Sequence, residues 1–85
     1  MKETYVFPAI FTQESAGIAI EFPDLPGCLP CADNYTQAFH HAREALHLHL
    51  SGMIEDGESI PMPSKLENIR LEDGAALALI ETQLL

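Results

Sequence analysis

Eighty-five residues, 47% of them apolar and 20% charged, describe one small globular domain, too apolar for a disordered chain and too short for a second core. Thirteen acids against four bases leave a formal charge of −9, which repels phosphate backbones and argues against a conventional nucleic-acid binder. A field of that sign instead steers a basic partner in.

No stretch nears the roughly 20 apolar residues of a membrane span, and the start from Met1 has no basic and then long apolar leader pattern. A cytoplasmic location is expected, and Cys28 and Cys31 are read there as thiols rather than as a disulfide. A chain this short buries only about 60–65% of its unfolded surface. Self-association or an obligate partner is the expected supplement.

In chain order, Tyr5-Val6-Phe7-Pro8-Ala9-Ile10-Phe11 is β-branched and aromatic, and predicts a strand over about 4–12 with Tyr5, Phe7, Ala9 and Phe11 on one face. Pro8 has no N–H to give a neighbour on the side it faces. The polar run from Thr12 to Gly17 is a turn. Ile18, Ile20 and Phe22 then alternate with Ala19 and Glu21 in a second strand over about 17–22. Two prolines and a glycine in Pro23-Asp24-Leu25-Pro26-Gly27-Cys28 make an irregular but stiff loop. A short third strand follows over about 28–32, weakened by Pro30.

Asn34-Tyr35-Thr36-Gln37 fits a capping box, and apolar residues from Tyr35 and Ala38 to Leu50 and Met53 share one helical face. The spacing predicts a helix over about 35–56, stopped at Asp56-Gly57. Ser59 to Pro63 is an extended connection. Ser64-Lys65-Leu66-Glu67 is a second possible capping box, giving a helical turn over about 65–69. After a turn at Glu72-Asp73-Gly74, Ala75 to Leu85 reads as a last strand over about 76–84, apolar on both faces around Ala76 to Ile80. The order is β-β-β-α-β in a single α+β domain spanning 1–85. An antiparallel three-strand meander and a long crossover helix then leave the last strand parallel to the first, at the centre of the sheet.

The residues offer little catalytic chemistry. No two of His40, His41, His47 and His49 have the i, i+3 or i, i+4 spacing that zinc on a helix needs. His49 falls on the apolar face, where a core-edge role suits it. Cys28-Leu29-Pro30-Cys31 is a C-x-x-C, but both thiols precede the helix instead of sitting at its N-terminus, and no second pair completes a zinc site. No serine lies in a nucleophile elbow. Glu21, Asp24 and Asp33 lie near strand ends and leave open an acid-metal nuclease using Mg²⁺; a stand-alone small binding domain is a further alternative. No metal or other cofactor is expected. The stiff loop, which sets Leu25 beside Asp24, is the best recognition surface, because a rigid loop loses little entropy on binding.

The run Phe22-Pro23-Asp24-Leu25-Pro26-Gly27-Cys28 closely resembles the signature of HicB-type antitoxins. A strand of Y-x-F-P-A-x-F type precedes it, and a helix with Ala38, Ala42, Ala45 and Leu46 follows. The stretch from Glu55 to Ser64 fits the same family. The resemblance implies a partial RNase H-like β-β-β-α-β fold. It also implies a non-catalytic role, neutralising a small, basic HicA-type mRNA endonuclease by covering its active site. It places the candidate partner-binding residues at Phe22, Pro23, Asp24, Leu25, Pro26 and Gly27. Many such proteins continue into an operator-binding segment after the last strand; this chain stops at Leu85, so no direct DNA binding is expected of it.

Overall fold

A computed structural model describes residues 3–84; the ends of the expected first and last segments, at Met1, Lys2 and Leu85, lie outside them. Four strands and one long helix follow one another as β1 (Glu3–Glu14), β2 (Gly17–Glu21), β3 (Cys31–Ala32), α1 (Tyr35–Glu55) and β4 (Ala75–Leu84) among the described residues. They form an α+β fold with one sheet in the order β3-β2-β1-β4 and every pairing antiparallel.

The sheet buries the face expected for the first strand. Phe7, Ala9 and Phe11 are closed off from solvent, joined by Ile18 and Ile20 of β2 and by Ile80 and Leu84 of β4. Helix α1 covers this face with Ala38, Ala42, Leu46 and Leu50. The alanines permit close approach, and the leucines fill the space beneath. At the rim Phe11 meets Tyr35, with ring centroids 6.2 Å apart, and Phe39 edge-on at 5.0 Å. Pro8 sits where it does no harm: β2 pairs with β1 only from Ile10 to Glu14, so the donor that Pro8 lacks faces a side with no strand to receive it.

Local chemistry fixes the helix ends. Asn34 Oδ1 accepts from the Gln37 N–H at 2.9 Å, and Gln37 Oε1 accepts from the Asp33 N–H at 3.2 Å. This is a reciprocal cap, displaced by one residue from the usual box. At the other end the Glu58 N–H donates to the Met53 carbonyl and the Gly57 N–H to that of Ile54. Gly57 has φ +76, so this is a Schellman stop built on the conformation that glycine adopts without penalty. Strand β3 is shorter than expected because Cys28 is spent in the preceding turn and Pro30 has no N–H; the Pro30 carbonyl still accepts from Ile20.

The last strand overturns an expectation. β4 is antiparallel to β1, from Glu3↔Leu84 to Thr12↔Ala75, and lies at the edge of the sheet rather than at its centre. The reason is the segment after the helix. Helix α1 starts beside Phe11 and ends beside Leu84, so a strand entered directly from it would run parallel to β1. Instead the chain passes Ser64, which is bonded to Asp24 at that same end of the sheet, and reaches Gly74, whose carbonyl accepts from Gln13 at the far end. Ten residues reach about 33 Å when extended, more than the roughly 20 Å needed to climb back. On the way Arg70 and Glu72 line a cleft with Ile10, Thr12, Glu21 and Ala75, on the sheet face away from α1. That face is only partly covered, so the last strand is not apolar-buried on both sides: Ile80 is 3% exposed and Leu79 is 55% exposed. The second expected capping box does not form either. The helical turn shrinks to a 3-10 turn, Leu66–Asn68, with no side-chain cap, because Ser64 is engaged by Asp24.

Candidate partner-binding site

The loop after β2 is two consecutive β-turns. The Leu25 N–H donates to the Phe22 carbonyl at 2.9 Å, and the Cys28 N–H donates to the Leu25 carbonyl at 3.0 Å. Each turn has proline at its second position, Pro23 and Pro26, where the ring presets φ. The second has Gly27 at its third position with φ +90, the positive value that a type II turn demands. The stiffness expected from composition has this concrete origin.

The turns sort the candidate residues into two sets. Phe22 and Leu25 are each 1% exposed and belong to the core, with Cys28 beside them. These two side chains therefore anchor the loop and do not protrude toward a partner, which corrects the reading of Leu25 as a displayed apolar contact. The turn geometry points Leu25 inward between the two prolines. Asp24 is half-buried and also engaged within the chain: one carboxylate oxygen accepts from the Ser64 N–H at 2.9 Å and the other from the Ser64 hydroxyl. Pro23, Pro26 and Gly27 are exposed, and Leu29 just beyond is 67% exposed.

The clasp between Asp24 and Ser64 brings a second stiff segment to the loop. Pro61, Met62 and Pro63 precede Ser64 and all are exposed, Met62 by 87%. Leu29 and Met62 are apolar residues that the reading of the sequence did not single out. The signal was the same in both places, an apolar residue next to a proline in a segment without periodicity.

The acids do not converge. Asp24 is tied to Ser64, Glu21 lines the cleft with Arg70, and Asp33 lies with Glu14, Gln37 and His41 at another cleft beside β3. Among the described residues no group of three His, Cys, Asp or Glu is placed to hold a metal ion. Both cysteines are free. Burial pushes the Cys28 thiol above its ordinary pKa, whereas Cys31 is exposed. His41 spans from α1 to β3 through Nδ1, 2.7 Å from the Cys31 carbonyl; since a carbonyl only accepts, Nδ1 carries the proton. His47 Nδ1 lies 3.2 Å from the hydroxyl of Thr82, a buried polar side chain of β4. No described helix is long and apolar enough to cross a membrane.

Comparison with known proteins places this arrangement. Residues 7–82 match the family model for the HicB_like antitoxin of bacterial toxin-antitoxin systems. Antitoxin HicB 2 of Photorhabdus laumondii is 31% identical over 78 residues, covering 92% of this chain and 56% of that protein. An uncharacterized 14.9 kDa protein of Haemophilus phage HP1 is 32% identical over 62 residues, covering 73% of this chain and 47% of that protein. The chain thus spans about half the length of the curated relatives it matches. Among solved structures, a toxin-antitoxin complex from Streptococcus pneumoniae superposes with TM-score 0.84 at 17% identity, covering 93% of this chain and 69% of that one. The N-terminal domain of the Burkholderia pseudomallei antitoxin HicB gives 0.77 at 26%, covering 89% and 95%. A chain of a HicA3 and HicB3 toxin-antitoxin complex gives 0.71 at 22%, with the same coverage. The match spans both turns of the loop, helix α1 and nearly all of β4, and the chain belongs to the HicB-like antitoxin family of bacterial toxin-antitoxin systems.

Proposed function

We propose that this chain neutralises a small, basic HicA-type ribonuclease toxin by binding it, in the cytoplasm, with no reaction of its own. The observation that carries this reading is the family match over residues 7–82, and the HicA3 and HicB3 complex among its structural relatives supports it. The charge of −9 suits a cationic partner.

The contact surface is the exposed side of the double turn, Pro23, Pro26, Gly27 and Leu29, with Phe22, Asp24 and Leu25 holding it in shape from beneath. A loop fixed by two prolines and by the Ser64 clasp loses little freedom on docking. The test is coexpression with a HicA-type toxin in a growth assay, followed by binding of the purified pair. Growth rescue with a stable complex is expected. Binding without rescue would mean that the active site is not covered, and neither rescue nor binding would remove the toxin from the reading.

A further inference from the structure

We propose that Met62 is a second anchor for the toxin, held beside the double turn by the clasp between Asp24 and Ser64; the inference rests on the toxin-binding reading above. The stretch from Ser59 to Ser64 belongs to no helix or strand, yet its backbone is closely constrained. Ile60 packs against the core at one end. At the other, Ser64 donates its N–H to one carboxylate oxygen of Asp24 at 2.9 Å and its hydroxyl to the second. Between these pins Pro61 and Pro63 fix their own φ. Each also holds the residue before it, Ile60 and Met62, in the extended region. The result is a short, stiff bridge.

The bridge leaves its methionine in water. Met62 is 87% exposed, whereas Met53 is half-buried and packs against the core. So exposed a side chain adds little to the fold. A backbone ordered in advance has already lost the freedom that docking costs, and an unbranched, polarizable thioether fills irregular apolar pockets. Met62 stands two residues from Ser64, so its Cα lies within about 7 Å of the residue clasped to Asp24. Asp24 opens the double turn and Leu29 follows its end. Met62 and Leu29, the latter 67% exposed, are therefore tied to opposite ends of one rigid loop.

Charge selects what covers Met62. Glu55, Asp56 and Glu58 are all exposed where α1 ends and the bridge begins. Glu58 is four residues from Met62, at most about 13 Å along an extended chain. An apolar plug beside three acids fits an apolar pocket rimmed by lysine or arginine, on the surface of a cationic protein. Nucleic acid and anionic membrane surfaces are repelled by the same acids. The partner of stated chemistry is therefore the basic toxin, gripped at two apolar points.

The test is surface plasmon resonance of the 85-residue chain with the purified toxin of the growth assay. Met62→Asp should weaken binding at least tenfold, mainly through faster dissociation, with an unchanged melting temperature. Met62→Leu keeps the apolar volume and should bind nearly as the parent does. In an Asp24→Ala background, where the bridge is unpinned, the loss caused by Met62→Ala should shrink. A second readout needs no substitution. A hydroperoxide gives one oxygen to the thioether, forming the sulfoxide and water or alcohol. Mass spectrometry should show this reaction slowed at least tenfold at Met62 when toxin is bound, and unchanged at Met53. Wild-type affinity in Met62→Asp, or equal oxidation of Met62 free and bound, overturns the proposal and leaves toxin binding intact. An equal loss from Met62→Ala in both backgrounds removes the clasp as the device that positions the anchor. A wild-type chain that does not bind the toxin overturns both readings.

Discussion

Ile80 and Leu79 stand next to each other in β4 with opposite surroundings. Ile80 lies beside Phe7 on the sheet face that α1 covers, while Leu79 lies on the far face, 55% exposed. Ile80→Ala should therefore cost about 2–4 kcal/mol, from lost transfer energy and an unfilled cavity, and Leu79→Ala less than about 1 kcal/mol in the isolated monomer. Urea denaturation of both variants checks the split; equal losses would mean that the outer face is covered too. The cysteines divide in the same way. Cys31 should react with a thiol reagent in the native state and Cys28 only on unfolding, since Cys28 is both buried and held protonated by its surroundings. The sign for stability follows. The folded state keeps the Cys28 proton to higher pH than the unfolded state, so this contribution is complete below the ordinary thiol pKa and falls as pH rises from there through the raised value. A Cys28→Ala variant should show a shallower alkaline loss of melting temperature than the parent. Identical slopes would assign that loss to other groups, of which Tyr5 is the first, its pKa raised by its hydrogen bond to Glu3.

The elements differ in how they were legible. The helix could be read almost to the residue because its signals are local: Asn34 and Gln37 at one end, Gly57 at the other, and Ala38, Ala42, Leu46 and Leu50 between them. The loop of Phe22 to Cys28 was legible as stiff, again from local proline and glycine chemistry. Which of its side chains point inward was not, because a turn has no apolar periodicity and Leu25 is buried by the β-sheet and helix around it. The direction of β4 was lost for a related reason. It is decided by residues 57–74, an aperiodic segment pinned at Ile60 by packing against the core, at Ser64 by Asp24 and at Gly74 by Gln13. None of these long-range partners is marked in the sequence. The Ser64 pin gives a prediction for this scale. Asp24→Ala leaves the Ser64 N–H and hydroxyl without their acceptor and should cost about 1–3 kcal/mol, with faster amide exchange in the 57–74 segment. Leu29→Asp should leave melting unchanged and weaken toxin binding at least tenfold. If Asp24→Ala melts like the parent while binding fails, Asp24 itself is a contact and the clasp is incidental.

For the molecule as a whole, charge and shape carry different parts of the proposed recognition. Most of the thirteen acids are exposed and lie outside the double turn: Glu44, Glu55, Glu67, Glu72 and Asp73 are spread over the helix and the long connection. A field summed over so many sites orients and accelerates a cationic partner from a distance, while the exposed prolines and Leu29 act only on contact. The two are separable by salt. Raising ionic strength from about 0.02 M to about 0.5 M shortens the screening length from roughly 20 Å to roughly 4 Å. The association rate constant with a basic toxin should then fall by at least tenfold. The dissociation rate constant, governed by the apolar contact surface, should change much less. Leu29→Asp should do the reverse and act mainly on dissociation. Surface plasmon resonance over a salt series, run on both proteins, reads the two constants independently. A flat association rate would take charge out of the recognition. A dissociation rate that rises steeply with salt would move the contact itself from the double turn to the acidic surface of α1 and the long connection.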